Sequence, residues 1–472
     1  MQKESAGSLE FKSTSGNSYV YDDNLGLSFP ASLLSPAYQE KLEKIRKSSE
    51  QEIRVPKPMD VREYDLKNGL LQLTLCLTED CNFRCKYCIY SENYEYTRGY
   101  SHRYMSFETA RKAIDLYFSL LEEGKRYNPW REIAIGFYGG EPLLNFNVLK
   151  ESVEYIKDRY PEWKVNYTIT TNATLLDKEK ADFLMDNDFS IAVSIDGPKE
   201  AHDRNRVYID GRGTFDDVMK NVSYVMQRYD KIHSLAVFDW KSDLFKLDDF
   251  FQRKDVPPLS NISLVNTDMG CSYYRQFTKE DFENHCRQID EGWKLYLERV
   301  RSEEIGREEE WRPSFFDHFF GLSCSKTIFQ NVAVLPPHPT MPYTGSCIPG
   351  RKIYVDVDGD LHTCERINGV FPIGDVERGL DFERISEMLG SYFESLNTCR
   401  ECGVKRMCGN CYCNFATDSG FSDASHICKN RESSVMASLD DAFTLGEISP
   451  DALESVAGDF YTLLRKLSYR ED

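Results

Sequence analysis

Six strand-like segments, most of them separated by helical patterns, lie between residues 71 and 270, and they constrain the fold more than any other feature of the chain. The first is LLQLTLCLT and the last is NISLVNTD. Strands that are joined by helical crossovers form a parallel sheet. The pattern therefore predicts an α/β fold whose sheet is either open or closed into a partial barrel.

Chemically distinctive residues follow four of these strands directly. In parallel α/β folds the chemistry collects at the carboxyl ends of the strands. The segments at those ends are Cys81 to Cys88, Gly139-Gly140-Glu141-Pro142, Thr171-Asn172 and Ser194-Ile195-Asp196-Gly197. Because four separate signals fall on one edge of the sheet, we expect the functional site there.

The segment CNFRCKYC places Cys81, Cys85 and Cys88 within eight positions. Thiolates are soft ligands that suit iron–sulfur clusters and zinc. Three thiolates can hold three irons of a cubane cluster and leave the fourth iron open to another molecule. The alternatives are a zinc site that borrows a distant fourth ligand, or thiols that bind no metal.

With Tyr87 before its last cysteine, this C-x3-C-x2-C segment resembles the signature of the radical S-adenosylmethionine (SAM) superfamily. GGEP and SIDGP also fit that family, and the resemblance covers residues from about 70 to 270. It implies a partial (β/α)6 barrel of the TIM type. It also implies a [4Fe–4S] cluster on the three cysteines, SAM on its open iron, and a 5′-deoxyadenosyl radical that abstracts hydrogen from the substrate.

The same resemblance assigns roles to the other rim residues. Gly139 and Gly140 would let the backbone approach the methionine amino group, Glu141 would supply its negative charge, and Pro142 would stiffen the turn. Ser194 and Asp196 would contact the ribose hydroxyls, and Arg206 would pair with the methionine carboxylate. As plain sequence, GGEP and Asp-Gly-Pro are also ordinary tight turns.

A second group of eight cysteines lies toward the carboxyl end: Cys347, Cys364, Cys399, Cys402, Cys408, Cys411, Cys413 and Cys428. Eight thiols suffice for two zinc ions or for two cubane clusters, and the spacing alone does not separate them. The stretch resembles the SPASM extension of radical enzymes that act on peptides, which implies two auxiliary [4Fe–4S] clusters and three clusters in all.

By that pattern Cys399, Cys402, Cys408 and Cys428 would hold the outer cluster, and Cys347 and Cys364 would join a later cysteine at the inner one. The family pattern expects that later cysteine at position 412, where this chain has Tyr412 between Cys411 and Cys413. One or both of these flanking thiols would then bind. If only one does, the inner cluster keeps an open iron that can take a substrate thiolate.

These signals divide the chain into five regions. Residues 1–70 are an appendage with a hairpin at Gly16-Asn17 and a helix capped by Ser35, and they are a candidate element for recognising a leader peptide. The other regions are the barrel at 71–270, a helical bridge at 271–345, the SPASM domain at 346–430 and a helical tail at 431–472.

The composition of the chain limits the classes of partner and the compartment that we expect. The net charge of −19 argues against nucleic acid, which needs a basic surface. The chain has no uninterrupted apolar stretch of about 18 residues and no apolar segment at its start, so neither a membrane span nor a signal peptide is expected, and the cytoplasm is the expected compartment. Its 15 cysteines then indicate metal chemistry. The four outside the two groups are expected to be buried small hydrophobes: Cys76, Cys271, Cys286 and Cys324.

The resemblance implies an enzyme that matures a ribosomally made precursor peptide, with a reductant such as flavodoxin or ferredoxin. Our leading hypothesis is thioether formation between a cysteine sulfur and a carbon of another residue. The first alternative is an anaerobic sulfatase-maturating enzyme, for which Asp239 and Asp243 are candidate bases. The second is a non-catalytic iron–sulfur or zinc scaffold that binds a peptide.

Overall fold

A computed structural model of the 472-residue chain describes residues 8–49, 55–265, 271–302, 312–331, 347–396, 399, 402–423, 428 and 431–468. Its strands are β1 (Ser8–Lys12), β2 (Ser18–Asp22), β3 (Leu27–Pro30), β4 (Gln72–Thr78), β5 (Ile133–Gly139), β6 (Val165–Thr171), β7 (Ser190–Ser194), β8 (Ile232–Phe238), β9 (Leu259–Leu264), β10 (Lys352–Val355), β11 (Asp360–His362), β12 (Gly374–Asp375) and β13 (Gly379–Leu380). Its helices are α1 (Pro36–Ser49), α2 (Pro58–Asn68), α3 (Phe107–Gly124), α4 (Phe146–Arg159), α5 (Lys178–Asp186), α6 (Lys199–Asn205), α7 (Phe215–Met226), α8 (Leu244–Phe251), α9 (Lys279–Arg301), α10 (Ser323–Asn331), α11 (Phe382–Ser395), α12 (Arg431–Ile448) and α13 (Pro450–Ser468).

The six predicted strands are β4 to β9, and they pair in sequence order as a parallel sheet. Strand β4 is buried over all but its first residue, which is the burial expected where helices cover both faces of a sheet. Helix α3 begins after Ser106, whose side chain caps it by accepting a hydrogen bond from the Thr109 N–H at 3.0 Å. The predicted α/β partial barrel is confirmed.

Strand β10 extends this sheet from the far end of the sequence. It pairs in parallel with β4, so that Tyr354 lies opposite Thr74. Strands β11, β12 and β13 continue outward in antiparallel pairs, giving one sheet of ten strands. The cysteine-rich region is therefore joined to the barrel by backbone hydrogen bonds at the first barrel strand.

The amino-terminal strands form a separate sheet in the order β1–β2–β3. The hairpin between β1 and β2 turns at Gly16, whose φ of +88° suits glycine. The Ser35 hydroxyl accepts from the Tyr38 N–H at 3.3 Å at the start of α1, as predicted. Helix α2 packs elsewhere, against α3 and α11.

This small sheet lies against the carboxyl-terminal part of the molecule. Leu9, Phe11 and Tyr21 form one apolar cluster with Val404 and Leu439. The sheet thus contacts the segment between Cys402 and Cys408, and the role of residues 1–70 in leader recognition stays a prediction.

The remaining helices form the bridge and the tail. Helix α9 opens with a capping box formed by Thr278 and Asp281, and α10 packs against both α12 and α13. Of the four scattered cysteines, Cys76 and Cys324 are buried as expected, whereas Cys271 and Cys286 are half-buried. Within the described residues, we find no helix that is both long and apolar enough to cross a membrane.

Candidate active site

The carboxyl ends of the barrel strands surround one cavity of about 480 Å³. The predicted residues that line it are Cys81, Cys85, Tyr87, Cys88, Gly139, Gly140, Glu141, Thr171, Asn172, Ser194 and Arg206. Pro142 and Asp196 do not line it. The structure therefore brings the three cysteines, the Gly-Gly turn and residues from β6 and β7 to one place, and their binding roles stay predictions.

The backbone of the cysteine loop is held from the side by residues that follow α6. The Arg84 N–H donates to the Val207 carbonyl at 2.8 Å, and the Lys86 N–H donates to the Asn205 carbonyl at 3.0 Å. Phe83 also forms an isolated antiparallel bridge with Tyr208. A loop of irregular backbone is thus fixed by sheet-like hydrogen bonds next to its second cysteine.

The Gly139-Gly140 turn holds the same loop from the other side. The Gly140 N–H donates to the Thr78 carbonyl at 2.8 Å, and the Glu141 N–H donates to the Asp80 carbonyl at 2.9 Å. A Cβ on Gly140 would lie 2.1 Å from the Asp80 oxygen, and Gly139 has a φ of +144°. Both glycines are therefore required by the close approach of two backbone segments, whatever they contact in a bound cofactor.

The Glu141 carboxylate is fully buried, and protein donors surround it. Its oxygens accept from the Thr171 hydroxyl at 2.7 Å, the Asn172 N–H at 2.8 Å and the Leu143 N–H at 3.1 Å. Burial raises the pKa of Glu141 to about 7, against the opposing effect of these hydrogen bonds. Glu141 thus ties the end of β5 to the end of β6, and Pro142 opens the short 3₁₀ turn that follows.

Asp196 lies beneath the cavity wall with its carboxylate engaged. One oxygen accepts from the Val237 N–H at 3.1 Å and lies 3.1 Å from the Arg206 guanidinium, and the other accepts from the Tyr87 hydroxyl. Arg206 reaches on to within 4.0 Å of the Cys85 sulfur. Asp196 therefore positions Arg206 and Tyr87, and its role at the ribose stays a prediction.

The three thiols fit a positively charged metal group. Burial raises the pKa of Cys81 far above its usual value, and burial raises the pKa of Cys85 to about 12 against the Arg206 charge. Buried thiols of this kind ionise when a metal cation compensates their charge. The Asn172 side chain approaches the Cys81 sulfur to 4.0 Å, and the Phe83 N–H approaches it to 3.4 Å. Such donors stabilise cluster sulfurs.

In the second cysteine group, Cys413 lies between Cys364 and Cys411. The Cys364 and Cys413 sulfurs are 3.7 Å apart, and Cys413 also interacts with Cys411. The Tyr412 side chain turns into the core, where its hydroxyl donates to the Cys347 carbonyl at 3.0 Å. The two thiols beside Tyr412 thus contact each other, and Cys413 contacts Cys364.

The thiols predicted for the outer cluster are separate from these. Burial raises the pKa of Cys428, and the neighbouring Cys408 and Cys402 thiols raise it further, so the three lie close together. Cys399 is buried at the start of the same segment. Among the described residues, no group of three or more His, Cys, Asp or Glu side chains is arranged to hold a single metal ion.

Sequence reasoning missed two sets of residues that line the cavity. One is aromatic: Tyr90, Tyr94, Tyr100 and Tyr138. The other is Glu365 and Arg366, which follow Cys364 directly and line the same cavity. The position of Arg366 beside a predicted ligand was a usable signal, whereas the tyrosines reach the cavity through contacts that no local pattern encodes.

The two aspartates selected as candidate bases lie outside this cavity. Asp239 is fully buried and forms an ion pair of 2.8 Å with Arg204, which keeps its pKa low against the effect of burial. Asp243 caps α8 by accepting from the Lys246 N–H. Among the described residues, the carboxylates on the cavity are Glu141 and Glu365, and Lys352 pairs with Glu365 at 2.6 Å.

Comparison with known proteins places this geometry in a family. The Radical SAM superfamily profile matches residues 75–238. A stretch of 349 residues is 24% identical to the radical SAM cyclopropyl synthase TigE of Paramaledivibacter caminithermalis, covering 72% of this chain and 66% of that protein. A stretch of 371 residues is 26% identical to the serine-type anaerobic sulfatase-maturating enzyme of Bacteroides thetaiotaomicron, covering 74% and 84%.

A solved structure, native anSMEcpe with bound AdoMet, superposes with a TM-score of 0.56 at 19% identity over 82% of this chain and 99% of that one, and this likeness shows the fold. The chain spans 58%, 66% and 57% of the length of the first curated relatives it matches. The profile match covers the strands whose ends carry the three cysteines and the Gly-Gly turn. Residues 75–238 are thus a radical SAM domain.

Proposed function

We propose that this chain is a radical SAM enzyme that modifies a peptide or protein substrate. The observation that carries the proposal is the shared cavity. It is lined by the cysteine loop and the rim of the barrel, and also by Glu365 and Arg366, which directly follow Cys364. A substrate in this cavity would therefore contact the cysteine loop and residues next to Cys364.

Cys81, Cys85 and Cys88 would hold a [4Fe–4S] cluster, and SAM would bind against Gly139 to Glu141, Ser194 and Arg206. Together these groups supply, when bound, a 5′-deoxyadenosyl radical that removes a hydrogen atom from carbon. Two of the tyrosines that line the cavity, Tyr90 and Tyr94, are only 5% and 6% exposed. The ion pair between Arg206 and Asp196 fixes the cation that faces Cys85.

We further propose that the second cysteine group holds two auxiliary clusters. Cys399, Cys402, Cys408 and Cys428 would hold the outer one. Cys347, Cys364, Cys411 and Cys413 would hold the inner one, because the Cys413 sulfur lies 3.7 Å from the Cys364 sulfur and also interacts with Cys411. Four thiols would leave this inner cluster without an open iron, so substrate thiolate would bind to residues of the cavity wall.

For the bond formed, we propose a thioether between a cysteine sulfur and a carbon of another residue, with a net loss of two hydrogen atoms. The position of the cavity beside the inner cysteine group supports this choice, since a second redox centre near the substrate can accept the surplus electron. The proposed partners are a precursor peptide, with or without a leader, and an electron donor such as flavodoxin or ferredoxin.

Oxidation of a sulfatase serine or cysteine to formylglycine is the second candidate. It is supported by the 26% identity to a serine-type anaerobic sulfatase-maturating enzyme over 84% of that protein. It has less support from the site, because Asp239 and Asp243 lie away from the cavity. An enzyme of this kind would have to use another base.

Mass spectrometry separates these candidates. Anaerobically reconstituted protein is incubated with SAM, dithionite and a cysteine-containing peptide encoded beside its gene, and the peptide is then reduced and alkylated. Loss of two hydrogens with that cysteine protected from alkylation indicates a thioether. If this peptide is unchanged while a cysteine-type sulfatase peptide loses about 18 Da, formylglycine formation is the activity.

A matched pair of variants makes the result specific. Cys85→Ala removes a thiol of the first group, and Cys286→Ala removes a half-buried thiol of α9 outside both groups. We expect the first variant to abolish cleavage of SAM and the second to retain it. Equal activity in both variants would contradict the proposed role of the cysteine loop.

A further inference from the structure

An open groove of about 720 Å³ lies beside the cavity and is separate from it. Its walls are the cysteine loop from Arg84 to Asn93 and the segment from Ser272 to Gln276. Cys85 and Tyr100 line both the groove and the cavity, so these two residues form the partition between them. A protein seated in the groove would thus contact the cluster loop from the side that the substrate and SAM do not occupy.

The groove is positively charged, although the chain as a whole carries a net charge of −19. Arg84, Lys86 and Arg275 line it, against one carboxylate, Glu92. The Arg84 guanidinium donates to the carbonyls of Cys81 and Phe83, which are uncharged partners. Among the described residues, none of the three cations has a carboxylate partner. Their charge is therefore available to an acidic molecule.

The walls of the groove are held together before anything binds. The Ser272 N–H donates to the Asn93 carbonyl at 2.7 Å, and the Asn93 side chain donates to the Lys86 carbonyl at 2.7 Å. Behind them the Tyr273 hydroxyl donates to the buried Asp239 carboxylate at 2.6 Å. A preformed surface of this kind binds a partner with little loss of conformational entropy.

We infer that this groove is the docking surface for the electron donor, a small acidic protein that carries single electrons. The inference rests on the cluster proposed at Cys81, Cys85 and Cys88 and goes beyond the proposed peptide chemistry. In the step, the donor loses one electron and the cluster gains it, and no covalent bond forms or breaks. Attraction between the acidic donor and the three cations orients it with its redox group toward Cys85.

Charge complementarity favours this occupant over the peptide substrate. A substrate must place a carbon inside the cavity, whose own mouth includes Arg366 and the end of β9. A donor needs only a short path to the cluster, and the groove supplies one through its Cys85 wall. Oriented association of this sort is fast and depends on ionic strength.

The test uses reconstituted protein and flavodoxin as the acidic donor. Binding of oxidised flavodoxin is measured by calorimetry, and the rate at which reduced flavodoxin bleaches the cluster absorbance is measured by stopped flow, without SAM or peptide. The principal variant is Arg275→Glu, which lies outside the cysteine loop, and Lys86→Glu is the second. Lys220→Glu is the matched control, because Lys220 is an exposed lysine on the outer helix α7.

We expect Arg275→Glu to slow reduction by flavodoxin by about tenfold or more at low salt, and to weaken binding in parallel. Reduction by dithionite should stay within about twofold, and Lys220→Glu should match the unmodified protein. The difference should shrink as salt is added, because screening weakens the attraction.

Iron content and bleaching by dithionite first establish that each variant carries its clusters, so a failure of cluster assembly is distinguished from a failure of docking. Unchanged flavodoxin rates in Arg275→Glu, or rates that do not respond to salt, would overturn the inference. Weaker peptide binding with unchanged flavodoxin rates would overturn it as well, and would assign the groove to the substrate.

Discussion

The two cysteine groups of this molecule are held in different ways. The loop from Cys81 to Cys88 is fixed by backbone hydrogen bonds to the Gly-Gly turn on one side and to residues 205–208 on the other. The segment from Cys402 to Cys413 contains two short 3₁₀ turns and is held largely by side chains, including contacts from the amino-terminal sheet. The barrel therefore shapes the first site by itself, whereas the second site depends more on side-chain contacts and on a distant part of the chain.

Removal of iron should produce the largest difference in hydrogen exchange between the two cysteine groups. Binding of metal to a site without extensive secondary structure is coupled to its folding. We expect hydrogen exchange in residues 402–423 to accelerate at least about tenfold in the iron-free protein, while β4 to β9 keep their protection. Peptide-resolved exchange of the reconstituted and iron-free proteins checks this. Equal acceleration in both regions would remove the contrast.

Replacement of one glycine in each cysteine group should give the next largest difference in stability. An alanine Cβ at Gly140 would lie 2.1 Å from the Asp80 oxygen, whereas the same Cβ at Gly409 would meet no atom within 4 Å. We expect Gly140→Ala to lower the free energy of unfolding by about 3 kcal/mol or more, and Gly409→Ala to change it by less than about 1 kcal/mol. Urea denaturation of the two variants compares them, and similar losses would show that the first loop is not packed as described.

The contact from the amino-terminal sheet can be broken separately. Asp23 is buried, lies 3.2 Å from the Lys405 ammonium and accepts from the Arg406 N–H at 3.0 Å. Asp23→Asn removes the charge and should cost roughly 1.5 to 3 kcal/mol. Its effect on hydrogen exchange should be confined to the sheet and residues 402–408.

The control for that variant is Asp210→Asn, at an exposed aspartate that pairs with Arg212 on the surface. Surface pairs contribute little, so we expect a change within about 0.5 kcal/mol. If Asp23→Asn is as mild as Asp210→Asn, the amino-terminal sheet does not support the second cysteine group.

The smallest expected difference in stability is between variants of two tyrosines, one in each cysteine group. Tyr87 donates to the carboxylate of Asp196, whereas Tyr412 donates to the neutral carbonyl of Cys347. Replacement by phenylalanine should cost about 2 kcal/mol at position 87 and about 1 kcal/mol at position 412, because hydrogen bonds to charged groups are the stronger ones. Thermal unfolding of both variants gives the comparison. A larger loss at position 412 would contradict the assignment.

The difference between the two cysteine groups also explains which parts of the fold could be predicted from the sequence. The barrel strands, the cap of α3 at Ser106 and the clustering of the rim residues follow from local periodicity and from the rule that parallel strands end together. Strand β10 was missed because KIYV is only four residues long and is stabilised by pairing with β4, 280 positions earlier. Long-range pairing of this kind leaves no local pattern.

The site was predicted in outline and corrected in detail. Asp196 was selected from an Asp-Gly-Pro turn, and its carboxylate proved to be engaged by Tyr87, Arg206 and the Val237 N–H. Glu365 and Arg366 were overlooked although they directly follow Cys364, a predicted ligand. The sequence spacing showed that Tyr412 stands where the family pattern has a cysteine. The structure was needed to show that the Tyr412 side chain turns into the core and where the thiols of Cys411 and Cys413 lie.

One measurement tests the central claim most directly: cleavage of SAM and modification of the peptide, measured together by mass spectrometry in Cys85→Ala and Cys364→Ala. Both variants are expected to fold, since each retains its barrel strands. If the first group generates the radical and the second acts on the later part of the reaction, Cys85→Ala abolishes 5′-deoxyadenosine formation. Cys364→Ala then retains that cleavage and loses the modified peptide. Cleavage that survives in Cys85→Ala, or that is abolished equally in both variants, would contradict the account.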